Sequence, residues 1–337
     1  MKKRLAVCLA LAAVWSWDGL QAWGGQGHRL VGLIAANHLS RVAKQNADWL
    51  LDGQSLADVS SWADAQVTDW QQTAPWHYLN IPPAATGYDR DRDCPRQPGV
   101  RAGARADTWR DCAVDRITYF EQRLADRELD RSDRATALKY LVHFVGDLHQ
   151  PFHALGVGRG GNDVIVRVFG NANCGPSTSS GPPRAESRGG NDPKRPPLPC
   201  NLHSVWDSRL IAHKDLNDND YLVQLETLIA QKRWFQQPVG TPKDWAEQSW
   251  ALGKAALVAN DTNIDEAYYR KHIGALDERL ALGGVRLAAV LNRVLVAAPP
   301  RLQASRATGA YPSAGRRRNG LPPGPRSARK WRSSVHS

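Results

Sequence analysis

Residues 143–153 read His143-Phe144-Val145-Gly146-Asp147-Leu148-His149-Gln150-Pro151-Phe152-His153, which places three histidines and one aspartate in a single short segment. From Ser132 to Leu148 the apolar residues Ala135, Leu138, Leu141, Val142, Val145 and Leu148 recur at helical spacing, and Ser132 offers a side-chain cap, so this run is expected to be a buried helix. His143 and Asp147 are then i and i+4 on one helix and can reach one ion. Pro151 cannot continue the helix, because it lacks an N–H and crowds the preceding turn. His153 is therefore free to point elsewhere. One such histidine is more often a satisfied core residue than a ligand, so the reading depends on partners elsewhere in the chain.

Outward from that helix, matching residue types recur. Trp23-Gly24-Gly25-Gln26-Gly27-His28 precedes a helix expected over Leu30 to Leu39, and Ser60-Ser61-Trp62-Ala63-Asp64 ends a second helical stretch. Pro75-Trp76-His77-Tyr78-Leu79-Asn80 reads as an extended turn. Gly160-Gly161-Asn162 makes a turn before Asp163–Phe169, the clearest strand pattern in the chain. Asn201-Leu202-His203-Ser204-Val205-Trp206-Asp207 starts a helix that repeats the i, i+4 His/Asp spacing. Further helices are expected over Asp111–Leu129, Tyr221–Trp234, Pro242–Val258, Ile264–Ile273 and Leu276–Val296. The fold class is mainly α: a single helical domain with one short β-hairpin at most and the polar cluster in a cleft.

The formal charge of +11 invites a nucleic-acid reading, but its distribution matters more than its size. From Pro300 to Ser337 there are nine Lys/Arg and no acid, and the body of the chain is close to neutral. Residues 300–337 have the composition of a disordered basic tail, either polyanion-binding or a solvated extension. Residues 171–199, rich in Gly, Pro, Ser and Arg, read as a low-complexity insertion. Lys2-Lys3-Arg4, an apolar run from Leu5 to Trp17 and Leu20-Gln21-Ala22 form an expected signal peptide over residues 1–22, too short to span a bilayer. A secreted or periplasmic monomer without stable membrane association follows. Cleavage after Ala22 would give Trp23 a free α-amino group, a competent metal donor. It would also leave four cysteines, expected to pair locally as Cys94 with Cys112 and Cys174 with Cys200.

Taken together, imidazoles and carboxylates without Cys-x-x-Cys spacing suit zinc better than manganese or iron. The ordered blocks Trp-Gly-x-x-Gly-His, Ser-Trp-Ala-Asp, Pro-Trp-His-Tyr, His-Phe-x-Gly-Asp-x-His-Gln-Pro-x-His, Gly-Gly-Asn and Asn-Leu-His-Ser-x-Trp-Asp resemble the zinc-dependent single-strand-specific nucleases of the S1/P1 type, over Trp23 to about Val296. The resemblance implies a domain over residues 23–299 with three zinc ions. One would be held by Asp64, His77, His143 and Asp147, and a second by the terminal groups of Trp23 with His28 and a shared Asp147. The third would be held by His153, His203 and Asp207, with His149 left in a supporting role. It implies hydrolysis of RNA and single-stranded DNA to 5′-phosphorylated products, and action on 3′-nucleotides. Asp64 would orient the attacking water, and Tyr78, Asn80 and Asn162 would contact substrate. Two departures bear on substrate choice: Val67 stands where many relatives carry a basic residue, and Asn80 where some carry Asp. Rival readings are a zinc-dependent phospholipase C of the same fold, and a non-catalytic zinc- or polyanion-binding envelope protein.

Overall fold

The computed structural model describes residues 23–69, 71–95, 109–174, 198–237 and 239–296. The expected signal peptide, the basic tail and most of the low-complexity insertion lie outside these residues. Eight helices of two turns or more carry the described architecture: α1 (Gly25–Asn37), α2 (Arg41–Leu51), α3 (Trp62–Asp69), α4 (Ala113–Ala125), α5 (Arg131–His149), α6 (Asp218–Lys232), α7 (Pro242–Ala256) and α8 (Glu266–Val294). No helix among the described residues is long and apolar enough to cross a membrane.

α5 is the axis of the bundle. From Tyr140 to His149 every residue of it is buried, with α4, α1, α8 and α2 packed around it. A helix enclosed on all sides has no face for solvating polar groups, so His143, Asp147 and His149 must find partners inside the protein. The close approach of α1 makes that possible. A Cβ at Gly146 would lie 2.8 Å from Nδ1 of His28, so only glycine lets the two backbones approach with the His28 ring between them. The His28 and His143 rings consequently stack, with centroids 4.0 Å apart.

Three expectations are corrected. The helix over 132–148 starts at Arg131, with Asp130 in the cap position and Ser132 inside the first turn. The two C-terminal helices are one: α8 runs unbroken through Gly274, whose added Cβ would meet nothing within 4 Å. A glycine there costs roughly 1 kcal/mol of helix propensity, which the packing of the half-buried Tyr268, Tyr269 and Ile273 before it and of the buried Leu276 and Leu280 after it outweighs. The expected short hairpin is reduced to a single antiparallel bridge, Val168 with Asn171 across a two-residue turn. The extended run is also bridged antiparallel by Ile165 with Asn201, and its one regular strand, β1 (Arg167–Val168), pairs in parallel with β2 (Asn263–Ile264). Parallel strands cannot be joined by a tight turn, so the pair instead ties the segment after the central motif to the start of α8. Both disulfides form as expected, Cys94–Cys112 and Cys174–Cys200.

Candidate metal centre

Six elements bring the polar residues together. α1 presents His28, α3 presents Asp64, the turn after Pro75 presents His77, α5 presents His143 and Asp147, and the short turn Pro151–His153 presents His153. His203 and Asp207 come from a broken helix. Leu202–Ser204 is α-helical, Val205–Arg209 is a π turn, and Leu210–His213 returns to α. Single π turns inside helices re-aim side chains. Here the result sets His203 Nε2 3.4 Å from Asp207 Oδ2.

The donors gather into three groups, the first two sharing His143, and within each the ligand atoms lie within 4.8 Å of one another: His28, His143 and Asp147; Asp64, His77 and His143; His153, His203 and Asp207. Asp147 joins the first two. Its Oδ1 is 3.2 Å from His28 Nε2, while its Oδ2 is 3.0 Å from His77 Nδ1 and 3.3 Å from His143 Nε2. Asp64 Oδ1 completes that side at 3.2 Å from His143 Nε2 and 3.7 Å from His77 Nδ1. Two donors about 2.0–2.2 Å from one tetrahedral ion stand roughly 3.3 Å apart, so these separations are those of ligands to a common cation. A further group, Cys94, Cys112 and Asp115, is excluded because its sulfurs are joined to each other.

Three histidines are aimed by backbone carbonyls. His143 Nδ1 lies 2.7 Å from Ser60 O, His153 Nδ1 2.8 Å from His77 O, and His203 Nδ1 2.6 Å from Gly160 O. An N–H that donates to a carbonyl fixes the tautomer and leaves the Nε2 lone pair turned toward the cluster. Gly160 earns its place here: its φ is +66°, and a Cβ would meet Phe152 O at 2.5 Å. Asp207 is held by Gln150, whose Nε2 donates to Oδ1 at 2.5 Å while its Oε1 accepts from Phe152 N at 2.5 Å.

The electrostatics call for a cation. Burial, and then the neighbouring imidazoles, push His28, His77 and His153 well below the ordinary histidine value. Burial pushes the Asp147 and Asp207 carboxyls well above the ordinary aspartate value. His143 is the exception: burial alone would lower it, but the carboxylates of Asp147 and Asp64 raise it to about 9. The protein thus creates a strong preference for positive charge beside His143 Nε2. Several buried atoms there have no hydrogen-bond partner, namely His28 Nε2, His153 Nε2, Asp64 Oδ1 and Asp147 Oδ1. Orphaned lone pairs converging at this density fit metal ions. The donor set of imidazole and carboxylate fits zinc.

The remaining candidates sit at the edge. Asp64, at 13% side-chain exposure, is the carboxylate through which the cluster meets solvent. Tyr78 is half-buried and Asn80 exposed, on a strip held to the central motif by Leu79 N donating to His153 O and Ile81 N to Ala154 O. The Asn162 side chain donates to Arg159 O within its own turn, the turn whose Gly160 carbonyl aims His203. Trp23 is fully buried, and Gly24 N donates to Asp207 O at 2.7 Å, so the first described residues are docked against the third group. His149 faces away, toward Arg286. Sequence reading did not single out Ser60 or Gln150. The backbone oxygen of Ser60 has no side-chain signature, whereas Gln150, beside Pro151 between two histidines, could have been flagged by its position.

Known proteins resemble this chain along most of its length. The chain is 27% identical to Endonuclease 2 of Arabidopsis thaliana over 87% of its own length and 98% of that protein's. It is 27% identical to Nuclease P1 of Penicillium citrinum over 81% and 97%, and 26% identical to Nuclease S1 of Aspergillus oryzae over 88% and 97%. The S1/P1 nuclease profile matches residues 23–296, which span every group described above, and the chain therefore belongs to the S1/P1 nuclease family.

Proposed function

We propose that the protein is an exported zinc-dependent nuclease that hydrolyses RNA and single-stranded DNA to 5′-phosphorylated products and also acts on 3′-nucleotides. The observation that carries this reading is the Asp147 carboxylate, which faces two donor groups at once inside a domain matched along its length by the S1/P1 nuclease family. Three zinc ions, when bound, would activate water near neutral pH and stabilise charge on the leaving 3′-oxygen. Asp64, His77, His143 and Asp147 hold one of them. His28 and Asp147 hold the second, with the amino and carbonyl groups of Trp23 after removal of residues 1–22, and His153, His203 and Asp207 hold the third. The burial of Trp23 and the anchoring of Gly24 support a mature terminus at this point.

Asp64, the solvent-facing carboxylate, accepts a proton from the attacking water and orients it. Tyr78 stacks an unpaired base, Asn80 hydrogen-bonds its edge, and Asn162 contacts the substrate from the turn whose Gly160 carbonyl meets His203. A cluster recessed among buried helices admits a splayed strand and excludes a stacked duplex, which is the physical basis of strand preference. Two disulfides fit an oxidising compartment. We assign residues 23–299 to the nuclease domain and residues 300–337 to a basic extension.

The test is hydrolysis of single-stranded DNA, RNA, duplex DNA and phosphatidylcholine by the purified protein, with and without a chelator. Chelator-sensitive cutting of the single strands is expected. Cleavage of the lipid alone would reassign the site to a phospholipase, and no turnover by zinc-loaded protein would reduce it to a binding site.

A further inference from the structure

On the face of α5 turned away from the cluster, two arginines of α8 lie in the core with no carboxylate among their hydrogen-bond partners. Arg279 and Arg286 are each 6% exposed. Arg279 donates to the carbonyl oxygens of His149 and Trp245, to Ser249 Oγ and to Gln248 Oε1. Arg286 donates to His149 Nε2 at 2.8 Å and to Gln248 Oε1 at 2.8 Å, with its guanidinium 5.5 Å from the centre of the Trp245 ring. All of these acceptors are neutral. His149 is committed to this role, because its Nδ1 donates to Val145 O at 2.7 Å. Two like charges therefore share one glutamine oxygen in a place where ions are expensive to desolvate. Burial lowers both groups, Arg279 to about 9 and Arg286 to about 10, and the only acid charge that partly offsets this at Arg286 is that of Asp244, which is engaged by Thr241.

Arg286 is also where this charge meets open space. It lines a cavity of about 240 Å³ with Gln248, Gln237, Trp234, Leu282 and Val285. The volume is below the range of roughly 300–1,000 Å³ typical of sites for larger organic ligands. The lining is mixed: a guanidinium and two carboxamides together with an indole and aliphatic side chains. Arg286 spends two of its five N–H donors on protein acceptors, and a guanidinium fork matches a tetrahedral oxyanion.

We propose that this cavity is an anion site for phosphate, free or as a phosphomonoester, with Arg286 as its principal ligand and Gln248 and Gln237 as further donors. It is separate from the candidate metal centre. Arg286 bonds His149 of α5, so occupancy compensates the buried charge that packs against the helix carrying His143 and Asp147.

The experiment is equilibrium binding of radiolabelled inorganic phosphate to the full chain purified with its metal, compared across wild type, Arg286→Met, Leu282→Phe and His203→Ala. The last variant controls for phosphate held at the metal centre. One saturable site per chain is expected to persist in His203→Ala. It should weaken by at least about tenfold in Arg286→Met, the loss of a charge-assisted hydrogen bond, and disappear when Leu282→Phe fills the cavity. Should Arg286→Met fail to fold, the Leu282→Phe result decides alone. Displacement of the label by a 5′-mononucleotide would identify a phosphomonoester as the occupant, and no displacement would restrict the site to the free ion. Absence of binding by wild type, binding untouched by both cavity substitutions, or binding abolished by His203→Ala would overturn the proposal.

Discussion

Gln150→Ala removes no proposed ligand, yet it should cost both stability and metal. The side chain is fully buried and makes two hydrogen bonds, one donated to Asp207 Oδ1 and one accepted from Phe152 N. Losing the first takes a charge-assisted bond worth about 1.5–3 kcal/mol from a buried carboxylate, and losing the second strands a buried N–H at about 1–3 kcal/mol. If half of this is recovered by relaxation or an entering water, unfolding in denaturant should show a loss of roughly 1–3 kcal/mol. Asp207 also loses the contact that turns its Oδ2 toward His203, so affinity at the third group should fall by about 10–100-fold, the usual effect of removing a residue that orients a metal ligand. Chelator competition read by a zinc-sensitive dye measures this directly. A variant that keeps wild-type zinc affinity for all bound ions, whatever its stability, would refute the claim that Gln150 aims Asp207 at a metal.

Four further outcomes are expected. His143→Ala removes the residue common to two donor groups and should abolish nuclease activity with a drop in bound zinc by elemental analysis; an active, fully metallated variant would end the ligand assignment. Tyr78→Ala should weaken single-strand binding by about 1–3 kcal/mol per stacked base, seen as a raised KM with kcat little changed. Thr241→Ala breaks the capping box at the start of α7 and should lower stability by about 1 kcal/mol at pH 7. Hydrogen bonds from Thr241 hold the Asp244 carboxyl below the usual aspartate range, so this contribution is present above that range and fades as pH falls through the lowered value. The difference in Tm between wild type and Thr241→Ala should accordingly shrink at acid pH. Deleting residues 301–337 should leave turnover on single strands largely intact; a dead truncation would give the basic tail a role in catalysis.

Much of the candidate site was legible because two of its pairs are local. His143 with Asp147, and His203 with Asp207, are fixed by helical spacing before any tertiary contact forms. The long apolar stretch of α5 announced the central helix, and the local cysteine spacing predicted both disulfides. Less was visible where a neighbour decides the outcome. The strand pattern over Asp163–Phe169 carried no information on its partners, which include an antiparallel bridge to Asn201 and a parallel strand far along the chain at Asn263–Ile264. The break expected at Gly274 did not occur, because packing along α8 outweighs one weak helix former. The π turn at Val205–Arg209 keeps the spacing of His203 and Asp207 in sequence but alters their aim.

By itself, then, the sequence determined a mainly helical chain, its donor residues and their chemical type, since these follow from local periodicity, proline placement and side-chain chemistry. Only the tertiary structure decided which donors share a group, that Asp147 faces two of them, that Ser60, His77 and Gly160 lend their carbonyls, and that His149 turns instead to an arginine of α8. Those relations join residues from distant parts of the chain. They are set by how closely helices can pack, here by a glycine at position 146 that admits the ring of His28.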